Sequence, residues 1–112
     1  MMCVLLLVLC TLARKVGKAL KDAIFSRPNC TKIFYPNLPD YTVKVMMGHV
    51  LDGVSEHMAN YPDDIRFIPS DAKPVNVADI LTDTKTEILV CYLPVGAENA
   101  VKFYAEECLK AG

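Results

Sequence analysis

The chain has 112 residues, enough for one domain with a modest core and too few for a complete dinucleotide-binding fold joined to a catalytic domain. Twelve Lys and Arg residues stand against 13 Asp and Glu residues. Because the two signs are interspersed and the net charge is only -1, we expect no nucleic-acid or anionic membrane partner. The five cysteines form no C-x-x-C pair, which indicates reduced, cytoplasmic thiols rather than a disulfide framework or a zinc site.

An uninterrupted apolar run from Cys3 to Cys10 lies near the start of the chain. It is too short to span a bilayer, which takes about 20 apolar residues, but its length suits either a buried strand or the apolar region of a secretory signal. The strand is favoured because no Lys or Arg precedes the run and because five free cysteines would be a liability after export. We therefore treat residues 1–12 as an atypical apolar start that stays attached, with a strand from Val4 to Leu9.

Helix-period and strand-period patterns alternate along the middle of the chain. The apolar spacing from Ala13 to Ser26 predicts an amphipathic helix, which Pro28 ends, and Thr42 to Met47 alternates at period 2 like a strand with one exposed face. Three further elements are predicted: a short helix over Leu51–Met58, a strand over Ile65–Ile68, and a helix over Asp71–Thr84 with Pro74 in its first turn.

The most strongly patterned stretch runs from Ile88 to Leu109. Ile88 to Tyr92 has no polar alternation, which predicts a strand covered on both faces, and Leu93 to Gly96 forms a turn. The helix that follows is predicted to end at Gly112 and to bury one apolar stripe, formed by Val101, Tyr104, Ala105, Cys108 and Leu109. The alternation of strands and helices predicts an α/β fold with a doubly wound, mainly parallel sheet, whose ligands bind outside the carboxyl ends of the strands.

Several kinds of chemistry find no support in the sequence. His49 and His57 are eight residues apart and lack the i, i+4 spacing of a helical zinc motif, so a capping or solvated role is favoured and no metal is expected. There is no G-x-S-x-G nucleophile elbow. The five glycines never come within two residues of one another, so these residues hold no G-x-G-x-x-G cradle for a pyrophosphate.

Several short motifs nevertheless resemble one enzyme family. They are Arg14-Lys15-Val16-Gly17-Lys18, Asp22-Ala23-Ile24-Phe25, Pro28-Asn29-Cys30-Thr31-Lys32, Leu51-Asp52-Gly53-Val54, Pro74-Val75, Tyr92-Leu93-Pro94-Val95-Gly96 and Phe103-Tyr104-Ala105. Together they look like the archaeal and bacterial branch of the myo-inositol-1-phosphate synthase family, from Ala13 to Gly112. The resemblance implies a Rossmann NAD-binding domain from a cytoplasmic, homo-oligomeric enzyme of inositol and phospholipid biosynthesis. Such an enzyme converts glucose 6-phosphate to inositol phosphate through transient oxidation, enolisation, ring closure and reduction.

The chain also departs from the family pattern. Family members begin with a strand and a glycine-rich loop, whereas the resemblance here starts at the second strand, whose usual acidic ribose partner falls at Cys10. Ala97 replaces the usual serine at a helix N-cap, a loss of about 1 kcal/mol. We therefore expect a partial Rossmann-like, doubly wound sheet over residues 1–112 that lacks the first strand and leaves two apolar edges, Val4–Leu9 and Ile88–Tyr92, prone to association.

The resemblance assigns cofactor-side roles to a small set of residues: Leu93, Pro94, Val95, Gly96, Tyr104 and Thr84. No catalytic residue carries over. For Tyr104 a cofactor contact and a packing role both stay open, because it also falls on the predicted buried stripe.

Two functions follow as alternatives. The first is an NAD-binding fragment of the synthase, inactive alone, such as a frameshift or a mis-assigned start would leave, with flanking DNA encoding the rest. The second is a non-catalytic α/β module that docks on another subunit.

Overall fold

The computed structural model describes residues 8–29 and 32–112. Its elements, in chain order, are strand β1 (Val8–Cys10), helix α1 (Leu20–Ala23), strand β2 (Val45–Met47), a 3-10 helix (Glu56–Asn60), helix α2 (Val77–Asp83) and helix α3 (Glu98–Ala111). The expected strand over Val4–Leu9 lies mostly outside the described residues, and its last two residues fall in β1. The architecture is mixed α/β, as predicted.

The two strands form a parallel pair, in which Val8 lies opposite Val45 and Cys10 opposite Met47. The Gly48 N–H extends the ladder by donating to the Cys10 carbonyl at 2.9 Å. The predicted alternation of β2 is confirmed, since Val45 and Met47 are buried and Met46 between them is half-buried. A larger doubly wound sheet stays a prediction, because the described residues contain only this two-stranded pair.

The predicted helix over Ala13–Ser26 is wrong, since only α1 is helical within it. Gly17 has φ +82°, a left-handed conformation that interrupts a helix and that glycine adopts without strain. The backbone at Gly17 and Lys18 is bonded to β2 instead: the Gly17 N–H donates to the Val45 carbonyl at 2.8 Å, and the Val45 N–H donates to the Lys18 carbonyl at 2.9 Å. Tertiary hydrogen bonds to the strand therefore replace the local helical bonds that the apolar spacing favours.

Three other predicted elements also differ from the structure. Residues 65–68 form no strand, although an isolated antiparallel bridge joins Leu12 to Pro69. The helix expected over Leu51–Met58 is a turn, in which Leu51 has φ +44°, followed by the 3-10 helix. Helix α2 begins after Asn76, whose side chain accepts a hydrogen bond from the Asp79 N–H at 3.2 Å, so Pro74 precedes the helix.

The prediction that Ile88–Tyr92 is a strand covered on both faces is wrong. The side chains of Ile88, Val90 and Tyr92 are 79%, 62% and 93% exposed, and only Leu89 packs against the core. A β-strand is defined by backbone hydrogen bonds to a neighbouring strand, and no described strand makes such bonds with this stretch. The result is a row of exposed apolar side chains.

The core lies where α2 packs against α3. Val77 and Leu81 of α2 meet Tyr104 of α3, and partly buried apolar residues surround them: Leu9, Leu89, Leu93, Phe103, Cys108 and Ala111. Val77 and Leu81 form the buried face of α2, whereas the predicted stripe of α3 is rotated. Val101 is 47% and Leu109 82% exposed, whereas Ala100 and Glu107 are buried. As predicted, α3 ends at Gly112, which has φ +100° and whose N–H donates to the Cys108 carbonyl at 3.2 Å.

Candidate functional site

The turn at residues 93–96 joins the exposed apolar stretch to α3. Its first residue, Leu93, is partly buried against the core, while Pro94, Val95 and Gly96 are exposed. Gly96 has φ +96°, and the Ala97 N–H closes the turn by donating to the Pro94 carbonyl at 3.2 Å. A rigid anchor at one end and an exposed tip suit a ligand-contacting loop.

The loop that follows β2 lies beside this turn. A Cβ atom placed on Gly53 would lie 3.8 Å from Cδ2 of Leu93, so residues 51–53 and the start of the turn are neighbours. Residues 48 and 49 directly follow the carboxyl end of β2, the side of a parallel sheet where ligands usually bind. The turn and the carboxyl end of β2 are therefore linked through one continuous segment, residues 48–53.

Tyr104 ties this segment to α3. Its buried hydroxyl accepts a hydrogen bond from the His49 backbone N–H at 2.7 Å and donates one to the His49 carbonyl at 3.2 Å. Burial raises the pKa of the Tyr104 hydroxyl, and the bond from His49 opposes that rise only in part, so the phenol is neutral near pH 7. Tyr104 thus has a clear packing role, and a cofactor contact by the same residue stays a prediction.

Gly48 makes this contact possible. A Cβ atom at Gly48 would lie 2.5 Å from the Tyr104 hydroxyl oxygen, too close for any side chain to be accommodated without movement. The sequence offers no local sign of this requirement, because the two residues are 56 positions apart and the glycine has no left-handed φ.

His49 is held as a structural side chain. Its Nε2 atom lies 3.1 Å from the Val75 carbonyl oxygen, and its ring centroid lies 4.5 Å from that of Phe103. A hydrogen bond to a backbone carbonyl and packing against an aromatic ring leave the imidazole in a half-buried, satisfied position. Across residues 8–29 and 32–112, no group of three or more His, Cys, Asp or Glu side chains is arranged to hold a metal ion.

Asp52 makes a contact beside the turn that its local sequence does not reveal. Its carboxylate accepts hydrogen bonds from the backbone N–H groups of Asn99 at 2.9 Å and Ala100 at 2.8 Å. Ala97 has no capping side chain, as expected, but the predicted loss is offset because Asp52 satisfies two of the free N–H groups of α3. The bond from Asn99, reinforced by that from Ala100, holds the pKa of the Asp52 carboxyl below its ordinary value.

Thr84 lies at the carboxyl end of α2. Its hydroxyl donates to the Ile80 carbonyl at 2.7 Å and lies 2.7 Å from the Thr86 hydroxyl. These bonds lie in the last turn of α2, and among the described hydrogen bonds none joins Thr84 to the 93–96 turn. The structure therefore brings Leu93 and Tyr104 together in one core and places Thr84 in a capping role.

Comparisons with known proteins identify sequence relatives. The chain is 42% identical to the inositol-3-phosphate synthase of Corynebacterium glutamicum, 43% to that of Mycolicibacterium smegmatis and 44% to that of Mycobacterium tuberculosis, each over 100 residues. Each match covers 89% of this chain and 26% of the relative, so the chain spans about a quarter of their length. No family model matches. The resemblance read from the sequence motifs is thereby confirmed.

One solved structure shares the fold. The crystal structure of Ari2 matches with a TM-score of 0.69 and 24% sequence identity, over 96% of this chain and 28% of that chain. At this identity the likeness concerns backbone architecture only.

Among the helices of the described residues, none is long and apolar enough to cross a membrane.

Proposed function

We propose, on the premise that this chain is related to about a quarter of an inositol-3-phosphate synthase, that it is part of the NAD-binding domain of such an enzyme. The observation that carries the proposal is the identity of 42–44% to named synthases across 89% of the chain. The domain is Rossmann-like and comprises residues 1–112, and residues 93–96 contact the cofactor.

The geometry of the turn supports this assignment. Leu93 anchors it to the core, and Asp52 fixes the first turn of α3 immediately after it. Tyr104, which lies on the same helix, binds the backbone of His49 just after the carboxyl end of β2. Pro94, Val95 and Gly96 are thus exposed on a scaffold fixed at both ends, which is how binding loops are usually presented.

The reaction belongs to the whole protein. NAD, when bound, supplies the hydride acceptor that the transient oxidation of glucose 6-phosphate requires. We propose that the complete enzyme is cytoplasmic and homo-oligomeric, and we assign no catalytic role to any of these 112 residues. Their contribution is to orient the cofactor through residues 93–96.

The isolated 112-residue chain should bind NAD only weakly and should not convert glucose 6-phosphate. Its glycines form no pyrophosphate cradle. Each missing charge-assisted hydrogen bond costs about 1.5 to 3 kcal/mol and each 1.4 kcal/mol is tenfold in affinity, so three such losses weaken binding roughly a thousandfold or more. We expect a millimolar dissociation constant.

A titration of the ¹⁵N-labelled chain with NAD tests the proposal, because chemical shifts detect millimolar binding. The Val95 and Gly96 amides should move with NAD, and Val95→Asp should abolish the response. The matched control is Val54→Asp, which adds the same charge outside the turn. A response located elsewhere, or none at millimolar NAD, would refute the assignment, and a micromolar constant would show that other residues hold the cofactor.

The second candidate is a non-catalytic α/β module that docks on another subunit. The exposed apolar side chains of Ile88, Val90 and Tyr92 favour it, since single-chain surfaces rarely carry such a row. A chain that forms a stable complex through this stretch and leaves the Val95 and Gly96 amides unmoved by NAD would support the docking module over the cofactor-binding domain.

A further inference from the structure

The carboxyl end of β1 carries no carboxylate. In a Rossmann-like domain this strand end meets a ribose of the dinucleotide, and an acidic residue there accepts a hydrogen bond from the ribose 2′-OH. Here Cys10 ends the strand, and its Sγ atom accepts a hydrogen bond from the Leu12 N–H at 3.5 Å. No Asp or Glu occurs between Val8 and Ala19. The residues of this strand end therefore do not fit an unphosphorylated ribose.

An arginine held in a fixed position follows this strand end instead. The Leu12 carbonyl accepts a hydrogen bond from the Lys15 N–H at 2.9 Å, so the chain turns directly after the strand. Within this turn the Arg14 guanidinium donates to the Asp64 carbonyl at 2.8 Å and also to the Asp63 carbonyl. A guanidinium has more N–H groups than these two bonds use, so the others are able to donate to a ligand.

Lys15 is the second cation of the turn. Its side chain is half-buried, and among residues 8–29 and 32–112 no carboxylate forms an ion pair with it. The carboxylate of Asp63, whose carbonyl holds Arg14, is itself paired with Arg66 at 2.7 Å. An anion at this turn would meet an oriented guanidinium and an uncommitted ammonium group.

We propose that this strand end selects a dinucleotide whose ribose carries a 2′-phosphate, and that Arg14 is the residue that binds this phosphate, with Lys15 as the second cation. The inference rests on the proposed function and concerns only the form of the dinucleotide. A guanidinium matches the oxygens of a phosphate through paired N–H···O bonds, and an arginine near this strand end accommodates a 2′-phosphate. An unphosphorylated ribose would leave both cations without an anion.

The test compares adenosine 2′-monophosphate with adenosine 5′-monophosphate, which differ only in the position of one phosphate. Each is titrated into the ¹⁵N-labelled 112-residue chain, and the amide signals of Thr11, Arg14 and Lys15 are followed. The 2′-monophosphate should bind about tenfold more tightly, the scale of one charge-assisted hydrogen bond. Arg14→Gln should remove this preference. The control Lys18→Gln removes a charge from the same segment, where Lys18 Nζ donates to the Ser26 hydroxyl, and should keep it.

A second variant covers the case in which Arg14→Gln fails to fold. Cys10→Asp restores the carboxylate at the strand end without touching the carbonyl contacts of Arg14, and it should abolish the preference by repelling the phosphate. Equal binding of the two monophosphates by the unmodified chain would overturn the proposal, as would a preference that survives Cys10→Asp or a folded Arg14→Gln. The absence of a saturable response to adenosine 2′-monophosphate would overturn it as well.

Two further outcomes would also overturn the proposal. Inorganic phosphate that binds as tightly as adenosine 2′-monophosphate would reveal a general anion site. Asp71 is the alternative ribose acceptor, since it follows Ser70, whose N–H donates to the Thr11 carbonyl at 2.8 Å. Tighter binding of unphosphorylated adenosine that is lost in Asp71→Asn would assign the ribose to Asp71.

A parallel NAD titration separates this proposal from the proposed function. Unmoved Val95 and Gly96 amides would refute the proposed function, because those residues lie in the turn assigned to the cofactor. The comparison of the two monophosphates is read at Thr11, Arg14 and Lys15, and it judges the role of Arg14 on its own.

Discussion

The Tyr104 hydroxyl satisfies both backbone polar groups of His49, with its oxygen 2.7 Å from the His49 nitrogen and 3.2 Å from the His49 carbonyl oxygen. One side chain of the last helix thereby fixes the backbone that leaves the carboxyl end of β2. Because a buried, unpaired backbone group is costly, this contact couples the sheet to the helix that carries the candidate site.

Tyr104→Phe should destabilise the chain by about 1–3 kcal/mol, the cost of leaving a buried N–H group without its acceptor. Urea denaturation followed by circular dichroism measures the change. Tyr92→Phe is the matched control, since Tyr92 is 93% exposed and the same deletion there should have almost no effect. Equal effects of the two substitutions would show that the His49 contact contributes nothing to stability.

Gly48→Ala should also destabilise the chain, by about 1–3 kcal/mol, because the new methyl group would overlap the Tyr104 hydroxyl. The double variant Gly48→Ala with Tyr104→Phe removes the atom that clashes. A double-mutant cycle from urea midpoints should therefore show that Gly48→Ala costs less when Tyr104→Phe is already present than in the unmodified chain. Strictly additive effects would argue against the close approach.

Glu107 should give the chain a dependence on acid pH. Its carboxylate accepts a hydrogen bond from the Ala78 N–H at 3.1 Å and one from Lys110 Nζ at 2.5 Å. The bond from Lys110, aided by that from Ala78, holds the pKa of Glu107 below its ordinary value of 4.5. A lowered folded-state pKa gives stability that is present above the unfolded-state pKa and is lost as the pH falls through the folded-state pKa.

Glu107→Gln should therefore lower the urea midpoint near neutral pH, and the difference from the unmodified chain should shrink as the pH falls below the ordinary carboxyl range. Glu106→Gln is the control, because the Glu106 carboxylate is half exposed and lies 4.0 Å from Lys102 Nζ, a surface pair of small effect. A difference that is the same at neutral and acid pH would contradict the role of the Glu107 charge.

The exposed row of Ile88, Val90 and Tyr92 should promote self-association of the chain. Val90→Glu places a charge in the middle of the row and should shift the molecule towards the monomer in sedimentation velocity measurements at increasing concentration. Ser55→Glu adds the same charge at an exposed position of the 3-10 helix region and should leave association unchanged. A chain that stays monomeric without substitution would disprove the expectation.

The sequence by itself determined the elements whose signals are local. The helix Glu98–Ala111 and its end at Gly112 follow from apolar spacing and from a glycine free to take φ +100°. The alternation that buries Val45 and Met47 is likewise a property of the strand's own residues. The family motifs around the 93–96 turn were also legible, and the similarity to the synthases confirms that resemblance.

Only the tertiary structure decided which backbone groups pair across long sequence separations. Gly17 and Lys18 lie in a helical pattern but bond to β2, and Ile88 to Tyr92 follow a strand pattern but have no described strand beside them. The cap of α3 comes from Asp52, 47 positions before Asn99, where no local motif reveals it. Periodicity states which face of a segment is apolar, whereas the available partner decides whether that segment becomes helix, strand or turn, because buried N–H and C=O groups must find one.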